Sequence, residues 1–244
     1  MDTKWLNRVP DVVLRDVLVE YRYLVRRFPQ WIALTIGRSE DNEIRQLLMP
    51  NLVEECGSQN RPSHLEMLDR CLTSCGIVLD RQREPFKTTK AIEAWFYSIF
   101  ATESTLASLC VLGPGTEAIS QEFLIPLETG LRNAFRTVDV DFSYFEAHRT
   151  TLEEQHAKNI QAAMTRLENL ENQSAAERDT WIRAAIDAHA DFWTFLKVQL
   201  INRQEISNYF AYQQENFGTA TDNHTAELRP YQLESQSLIH TSRR

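Results

Sequence analysis

The chain has 244 residues, of which 43% are hydrophobic and 25% are charged, and its formal net charge is −8. Only seven Gly and eight Pro are present, about half the usual share of these turn-forming residues, which excludes a many-stranded barrel, sandwich or propeller. The negative charge argues against a nucleic-acid-binding protein, which needs a basic surface to neutralise phosphates.

Apolar residues recur at steps of three and four along most of the chain, which is the period of an amphipathic helix. This pattern predicts helices over 12–27, 40–56, 64–76, 88–112, 116–135, 142–170 and 176–214. Ser39 is the expected N-cap of the second helix, and Gly113-Pro114-Gly115 is expected to break the chain after the fourth. No convincing stretch alternates with period two, so we predict an all-α, single-domain bundle of seven or eight helices.

The C-terminal residues differ from the rest because helical periodicity disappears there and the composition becomes polar. We therefore expect one helical domain over 1–216 and a polar tail over 217–244. Segment 94–113 carries one charge, Glu103, and is long enough to span a bilayer. Its hydroxyl side chains and the lack of basic flanks on both sides favour a helix buried in a bundle, with no membrane span.

The cysteines give no sign of a disulfide framework, since Cys56, Cys71, Cys75 and Cys110 form no CxxC pair. The first residues do not have the pattern of a signal peptide. We therefore expect reduced thiols in a cytoplasmic protein.

Carboxylates and histidines gather at two predicted helix ends. Glu55 closes the second helix and His64 opens the third, so the turn between them can fold both side chains toward one point. Glu117 lies just beyond the Gly-Pro-Gly break, although the helix dipole alone would also favour a carboxylate there. Glu103 is a rival inner carboxylate, or a buried acid paired with Arg or Lys.

A third cluster contains His148, Glu153 and His156. Glu153 and His156 are three residues apart, the spacing of a carboxylate–histidine metal pair on one helix face. On a regular helix His148 is rotated by about 140° and about 80° from these two residues. One extra residue taken up as a π-bulge would place all three on one face. The alternative is that 153–156 is an ordinary solvated stretch.

Pocket-lining candidates are Tyr144, Phe145 and His189, of which His189 lies on the apolar stripe of the last helix. His189 is equally interpreted as a hydrogen-bonded core histidine. The sequence has no G-x-S-x-G nucleophile elbow and no Gly-rich phosphate loop, which argues against a serine hydrolase and a nucleotide-phosphate site.

Together these clusters resemble the haem-oxygenase-like helical proteins that include the CADD, PqqC and TenA groups. They are most similar to CADD-like proteins and to the non-haem di-iron oxidases and oxygenases of that fold. The intervals of 9, 53 and 31 residues between the first four candidates are similar to those of the family. The motifs are Asn51-Leu52-x-x-Glu55-x-Gly57, His64-Leu65-x-Met67-Leu68, Leu112-Gly113-x-x-Thr116-Glu117 and Tyr144-Phe145-x-x-His148 … Glu153-x-x-His156.

The resemblance implies a haem-oxygenase-like helical bundle over about 27–214, two iron ions or manganese, O2 as co-substrate and a small-molecule organic substrate. Glu117 is the bridging carboxylate expected from it. The full set of implied metal ligands is Glu55, His64, Glu117, His148, Glu153 and His156.

One departure concerns the last ligand set, which has one residue more than the family's His-x-x-x-Asp-x-x-His and Glu153 in place of Asp. If no bulge restores the register, a ligand is lost. The protein would then hold a single metal, bind metal poorly or work without one.

Two other functions stay open. A non-catalytic interaction protein would keep the scaffold and bind a protein partner, and its Glu55, Glu117 and His156 would point to solvent or pair with Arg. A cofactorless, PqqC-like oxidase would need no metal. TenA-type chemistry is disfavoured because none of the four cysteines matches that group's catalytic Cys, and haem degradation because no His is placed as proximal ligand. A homodimer is also expected, as is common for this fold.

Overall fold

The computed structural model describes residues 1–80, 83–149, 151–171 and 175–217, and side chains within these ranges except at 151–154, 171 and 204–217. Residues Met1–Glu205 form one compact unit. In the second unit, the described residues 206–217 are helical. The polar tail predicted over 217–244 lies, beyond Phe217, outside the described residues.

The prediction of an all-α fold is confirmed, since the described residues form helices and no strand. Two short 3-10 helices span Lys4–Arg8 and Glu117–Ile119. The α-helices are α1 (Asp11–Arg38), α2 (Asn42–Cys56), α3 (His64–Ser74), α4 (Lys87–Thr102), α5 (Thr105–Leu112), α6 (Gln121–Ala134), α7 (Ser143–Ala147), α8 (Thr151–Glu171) and α9 (Ala175–Phe217).

Helix α1 is central, because it packs against α2, α3, α4, α5 and α6. It is longer than predicted and continues through Pro29 to Arg38. Pro29 removes one backbone hydrogen bond, whereas the burial of Trp31 and Ile32 beyond it favours continuation of the helix.

Helix α2 begins later than predicted, with Asp41 as N-cap in place of Ser39. The Asp41 carboxylate accepts hydrogen bonds from the backbone N–H groups of Glu43 and Ile44. A carboxylate there also complements the positive end of the helix dipole, so Asp41 is the better cap.

The helix predicted over 88–112 is broken into α4 and α5. Glu103 is the C-cap of α4, and its carbonyl accepts a hydrogen bond from Arg38. The Ser104 hydroxyl accepts the backbone N–H of Ala107 and caps α5. Apart from its first residue, α5 is fully buried, as predicted for this apolar segment. Within the described residues, no helix has both the length and the apolar composition needed to cross a bilayer.

The helix predicted over 142–170 is also two helices, so His148 and Glu153 do not share one helix and a π-bulge does not relate them. His148 is the C-cap of α7, and α8 begins at Thr151. Two contacts with α6 hold this break. The Gln121 amide donates to the His148 carbonyl at 2.6 Å, and Arg149 forms an ion pair with buried Glu128.

The turn between α2 and α3 depends on Gly57, whose φ is +71°. A Cβ at this position would lie 2.5 Å from the backbone nitrogen of Ser63 and 2.8 Å from the carbonyl oxygen of Arg61. Both the left-handed conformation and the close approach of the returning chain therefore require glycine. The turn brings the last residues of α2 next to the first residues of α3.

We expect Gly57→Ala to destabilise the protein by about 1–3 kcal/mol, because of backbone strain and the collision with backbone atoms. Gly37→Ala is the matched control. Gly37 is exposed in α1 and has open space around it, so the alanine should raise stability by up to about 1 kcal/mol. Urea denaturation of both variants measures the two changes, and equal effects would contradict this account of the turn.

Candidate metal centre

Five of the six ligand candidates lie at or near helix ends that meet inside the bundle. Glu55 is in the last turn of α2, His64 is the first residue of α3, and Glu117 opens the second 3-10 helix. His148 ends α7, and His156 lies in the second turn of α8. The packing of α2 on α8 and of α3 on α7 brings these segments together.

Three of these residues form one tight group. Glu55, Glu117 and His156 each offer a ligand atom, and these atoms lie within 4.8 Å of one another. Their side chains are only 4%, 7% and 2% exposed. Two buried carboxylates are costly without compensating positive charge, and a divalent cation bound between them would supply it.

His156 shows which ring nitrogen is directed at this group. Its Nε2 lies 2.8 Å from Glu54 Oε2, which holds the ring from one side. Its Nδ1 is buried, has no hydrogen-bond partner among the described residues, and lies 3.8 Å from Glu117 Oε1. Buried polar atoms are nearly always satisfied, so the position of Nδ1 suits a metal ligand.

The sequence prediction named Glu55 as the metal ligand on this turn and gave Glu54 no part in the centre. Metal-bound histidines commonly donate their second N–H to a carboxylate, and Glu54 occupies that place for His156. Asn51, one turn earlier, donates to the His156 carbonyl at 3.2 Å and accepts a hydrogen bond from Asn159 at 2.8 Å. The only sign of this in the sequence is that two acids, Glu54 and Glu55, follow Asn51 by one turn. Two adjacent acids do not reveal which of them faces the interior.

His64 and His148 lie next to this group. His64 Nδ1 lies 2.8 Å from Glu55 Oε1, and the ring centroids of His64 and His148 are 4.7 Å apart. His148 Nδ1 lies 2.7 Å from the Tyr144 carbonyl. A carbonyl can only accept, so Nδ1 carries the proton there and Nε2 is the nitrogen with a lone pair for a metal. The side chain of Glu153, the sixth candidate, lies outside the described residues.

The donor set suits iron or manganese, because it consists of carboxylates and imidazoles. The buried cysteines are not part of it. Burial raises the pKa of Cys110 to about 12, so this thiol stays protonated. Cys71 and Cys75 lie at the end of α3, and Cys71 has a raised pKa because it donates a hydrogen bond to Cys75. Glu103, the rival carboxylate, is not a member of the group.

A pocket opens onto the carboxylates and has a volume of about 520 Å³, including its opening to solvent. Glu55, Glu117 and His148 belong to its wall, and most of the remaining lining is apolar. Of the three pocket candidates, Tyr144 and His189 line it. Phe145 is not among the described lining residues and packs behind Tyr144, with ring centroids 5.4 Å apart.

His189 is a neutral, buried group in this wall. Burial lowers its pKa to about 4, and its Nε2 lies 3.1 Å from the Thr116 hydroxyl. Because its pKa is about 6.5 in the unfolded chain, the unfolded state binds a proton as the pH falls below 6.5 while the folded state does not. His189 therefore lowers stability progressively between pH 6.5 and pH 4.

We expect metal-free wild-type protein to lose about 2 kcal/mol more stability than His189→Gln between pH 7.5 and pH 5.0. Glutamine cannot titrate in this range but can still bond to Thr116. Urea unfolding at several pH values measures the difference between the two proteins. A constant difference across this range would show that His189 is not held neutral in the fold.

Solved structures with the same architecture identify the fold. A CADD-like protein of unknown function from Nostoc punctiforme aligns with 19% identity and a TM-score of 0.66, over 80% of this chain and 86% of that one. A domain with a haem-oxygenase-like fold from Shewanella denitrificans has 15% identity and a TM-score of 0.58, over 89% and 86%. A TenA homologue from Pseudomonas syringae has 12% identity and a TM-score of 0.63, over 83% and 85%.

These similarities show the haem-oxygenase-like fold alone, since the identities are low. No curated protein sequence matches the chain. A family model described as iron-containing redox enzyme matches residues 15–189, which is well over half of the chain and contains all six ligand candidates. The chain therefore belongs to the family of iron-containing redox enzymes with a haem-oxygenase-like fold.

Proposed function

We propose that this protein is a non-haem iron oxidoreductase that uses O2 to oxidise a small organic substrate. The observation that carries the proposal is the buried group of Glu55, Glu117 and His156 at the wall of an apolar pocket. Membership of the iron-containing redox enzyme family supports iron as the metal. Manganese prefers similar ligands and is the alternative.

Glu55 is near all the other candidates whose side chains are described. Its ligand atom lies within 4.8 Å of those of Glu117 and His156, its Oε1 lies 2.8 Å from His64 Nδ1, and the His148 ring is next to that of His64. Glu55 is therefore a candidate, beside Glu117, for a carboxylate that two metal ions would share. Glu153 stays a predicted ligand.

Iron, when bound, supplies the one-electron chemistry with O2 that protein side chains lack. The chain's own groups hold and orient the ligands. Glu54 accepts the Nε2 proton of His156 and thereby directs Nδ1 inward. The Tyr144 carbonyl accepts the Nδ1 proton of His148, which leaves Nε2 for the metal. The apolar pocket wall excludes water, which strengthens electrostatic interactions inside the site.

The interaction-protein alternative expected Glu55, Glu117 and His156 to face solvent or pair with Arg. Instead the side chains of all three are turned away from solvent, with exposed fractions of 4%, 7% and 2%, which disfavours the solvent-facing arrangement. Nothing in the described residues favours a cofactorless oxidase. A homodimer and a protein partner stay predictions.

Iron content tests the proposal. After anaerobic loading with Fe(II) and removal of excess metal, we expect between one and two iron ions per chain, and a lower content in His148→Ala and His156→Ala. Glu122→Ala is the control, because Glu122 is exposed on α6. The loaded wild-type protein should then consume O2, and the His156 variant should not. Less than one iron per chain, unchanged in His148→Ala, would contradict the proposal.

Glu54 should act through His156 on metal affinity. We expect Glu54→Ala to weaken Fe(II) binding by about 10–100-fold, because the ring loses the acceptor that orients it. Glu54→Gln should be intermediate, since its amide oxygen can still accept the Nε2 proton. Anaerobic competition with a chromogenic chelator measures the affinities, again beside Glu122→Ala. If Glu54→Ala and wild type bound Fe(II) with equal affinity, Glu54 would have no part in the metal centre.

A further inference from the structure

The pocket that reaches the metal centre has a mostly hydrophobic wall. Helix α1 contributes Leu24, Val25, Phe28 and Trp31 to it, and α4 contributes Phe96. The ring centroids of Trp31 and Phe96 are 4.6 Å apart, and those of Phe28 and Trp31 are 6.1 Å apart. The first pair is tilted and the second packs edge to face, so these rings together form an aromatic, apolar wall, which favours a hydrophobic ligand.

The lining has little to offer to a charged ligand. None of the lining residues that the structure describes is Lys or Arg. In the metal-free protein, an anionic group in the pocket would therefore lose its hydration without a cationic group to replace it. A cationic ligand would also lack a partner in the iron-loaded protein, because the two carboxylates of the lining, Glu55 and Glu117, would be bound to the metal. The aromatic rings pack against one another and do not stand apart as the walls of a cation-binding cage.

The polar atoms of the lining outside the metal centre belong to uncharged groups. The Tyr21 and Tyr144 hydroxyls bond to each other at 2.8 Å. His189 is neutral and lies 3.1 Å from the Thr116 hydroxyl, one residue before Glu117. Such groups can fix the orientation of one hydroxyl or amine of a ligand close to the metal, but they do not balance a charge.

The enclosed part of the pocket is small, since the centre of a water molecule can move through only about 60 Å³ of it, about the space of a few water molecules. This space suits a molecule of one or two rings and is too small for a nucleotide-linked or acyl-carrier substrate.

We propose that the pocket takes an uncharged, largely hydrophobic molecule of one or two rings with at most one hydrogen-bonding group. That this molecule is the substrate rests on the proposed function. Its binding does not, because the wall that recognises it is formed by side chains other than the metal ligands.

Three probes with one ring system and different charges test this inference: indole, tryptamine and indole-3-acetate. Isothermal titration calorimetry is carried out with the full-length protein, both metal-free and loaded anaerobically with Fe(II). We expect indole to bind both forms. It should bind the metal-free protein at least about 10-fold more tightly than indole-3-acetate does, and the Fe(II)-loaded protein at least about 10-fold more tightly than tryptamine does, because the charge of each probe has no partner in that form. Equal or tighter binding of indole-3-acetate to the metal-free form or of tryptamine to the loaded form, or no binding of indole, would overturn the inference.

Three variants test whether indole binds in this pocket. Phe28 is half-buried in the pocket wall, and Phe28→Ala should lower indole affinity several-fold. Phe195→Ala is the matched control, because Phe195 is 54% exposed on α9 and outside this pocket. Val25→Trp, which fills the pocket, should abolish binding, and circular dichroism verifies that each variant is folded. If Phe28→Ala and Phe195→Ala had equal effects, the probe would be binding elsewhere, and the inference would be wrong.

The two proposals can fail separately. Iron uptake without indole binding would overturn the ligand class and leave the iron centre. Indole binding to a protein that takes up no iron would leave the ligand class and overturn the proposed redox function.

Discussion

The contact between Glu54 and His156, at 2.8 Å, ties α2 to α8 where both helices carry candidate ligands. Because Glu54 takes the Nε2 side of the ring, Nδ1 is directed at Glu117 and Glu55. The hydrogen bond from Asn51 to the His156 carbonyl fixes the backbone of the same turn. Carboxylates buried this deeply need both a compensating charge and rigid surroundings. The α2–α8 contact supplies the rigidity, and a bound metal would supply the charge.

Breaks between helices, more than the helices themselves, position the centre. Glu55 and His64 are separated by the turn at Gly57, and His148 and His156 by the break between α7 and α8. A third break precedes Glu117, where a Cβ on Gly115 would lie 2.4 Å from the Ala185 Cβ. A helix end can direct its terminal side chain along the helix axis into the interior. A continuous helix can only present side chains from its face. Gly57 and Gly115 allow two of these breaks.

The helical pattern correctly predicted the all-α fold, because apolar periodicity is a local property that burial of one helix face requires. It failed at Glu103-Ser104 and at His148–Arg149, where the chain leaves the helix without Gly or Pro. At the first break the Ser104 cap favours a new helix start. At the second, contacts with α6 hold the chain out of helical geometry. These contacts join residues distant in sequence, so no local pattern could reveal them.

The sequence by itself determined that this protein is helical and which carboxylates and histidines interrupt its apolar pattern, because both follow from residue type and spacing. Only the tertiary structure decided which of Glu54 and Glu55 faces the interior, which nitrogen of His156 meets the carboxylates, and that Glu55 contacts His64. It also placed the aromatic residues of α1 over the same centre. The physical reason is that these relations depend on the rotation and depth of helices packed against each other, which are set by the shapes of side chains from all of them at once.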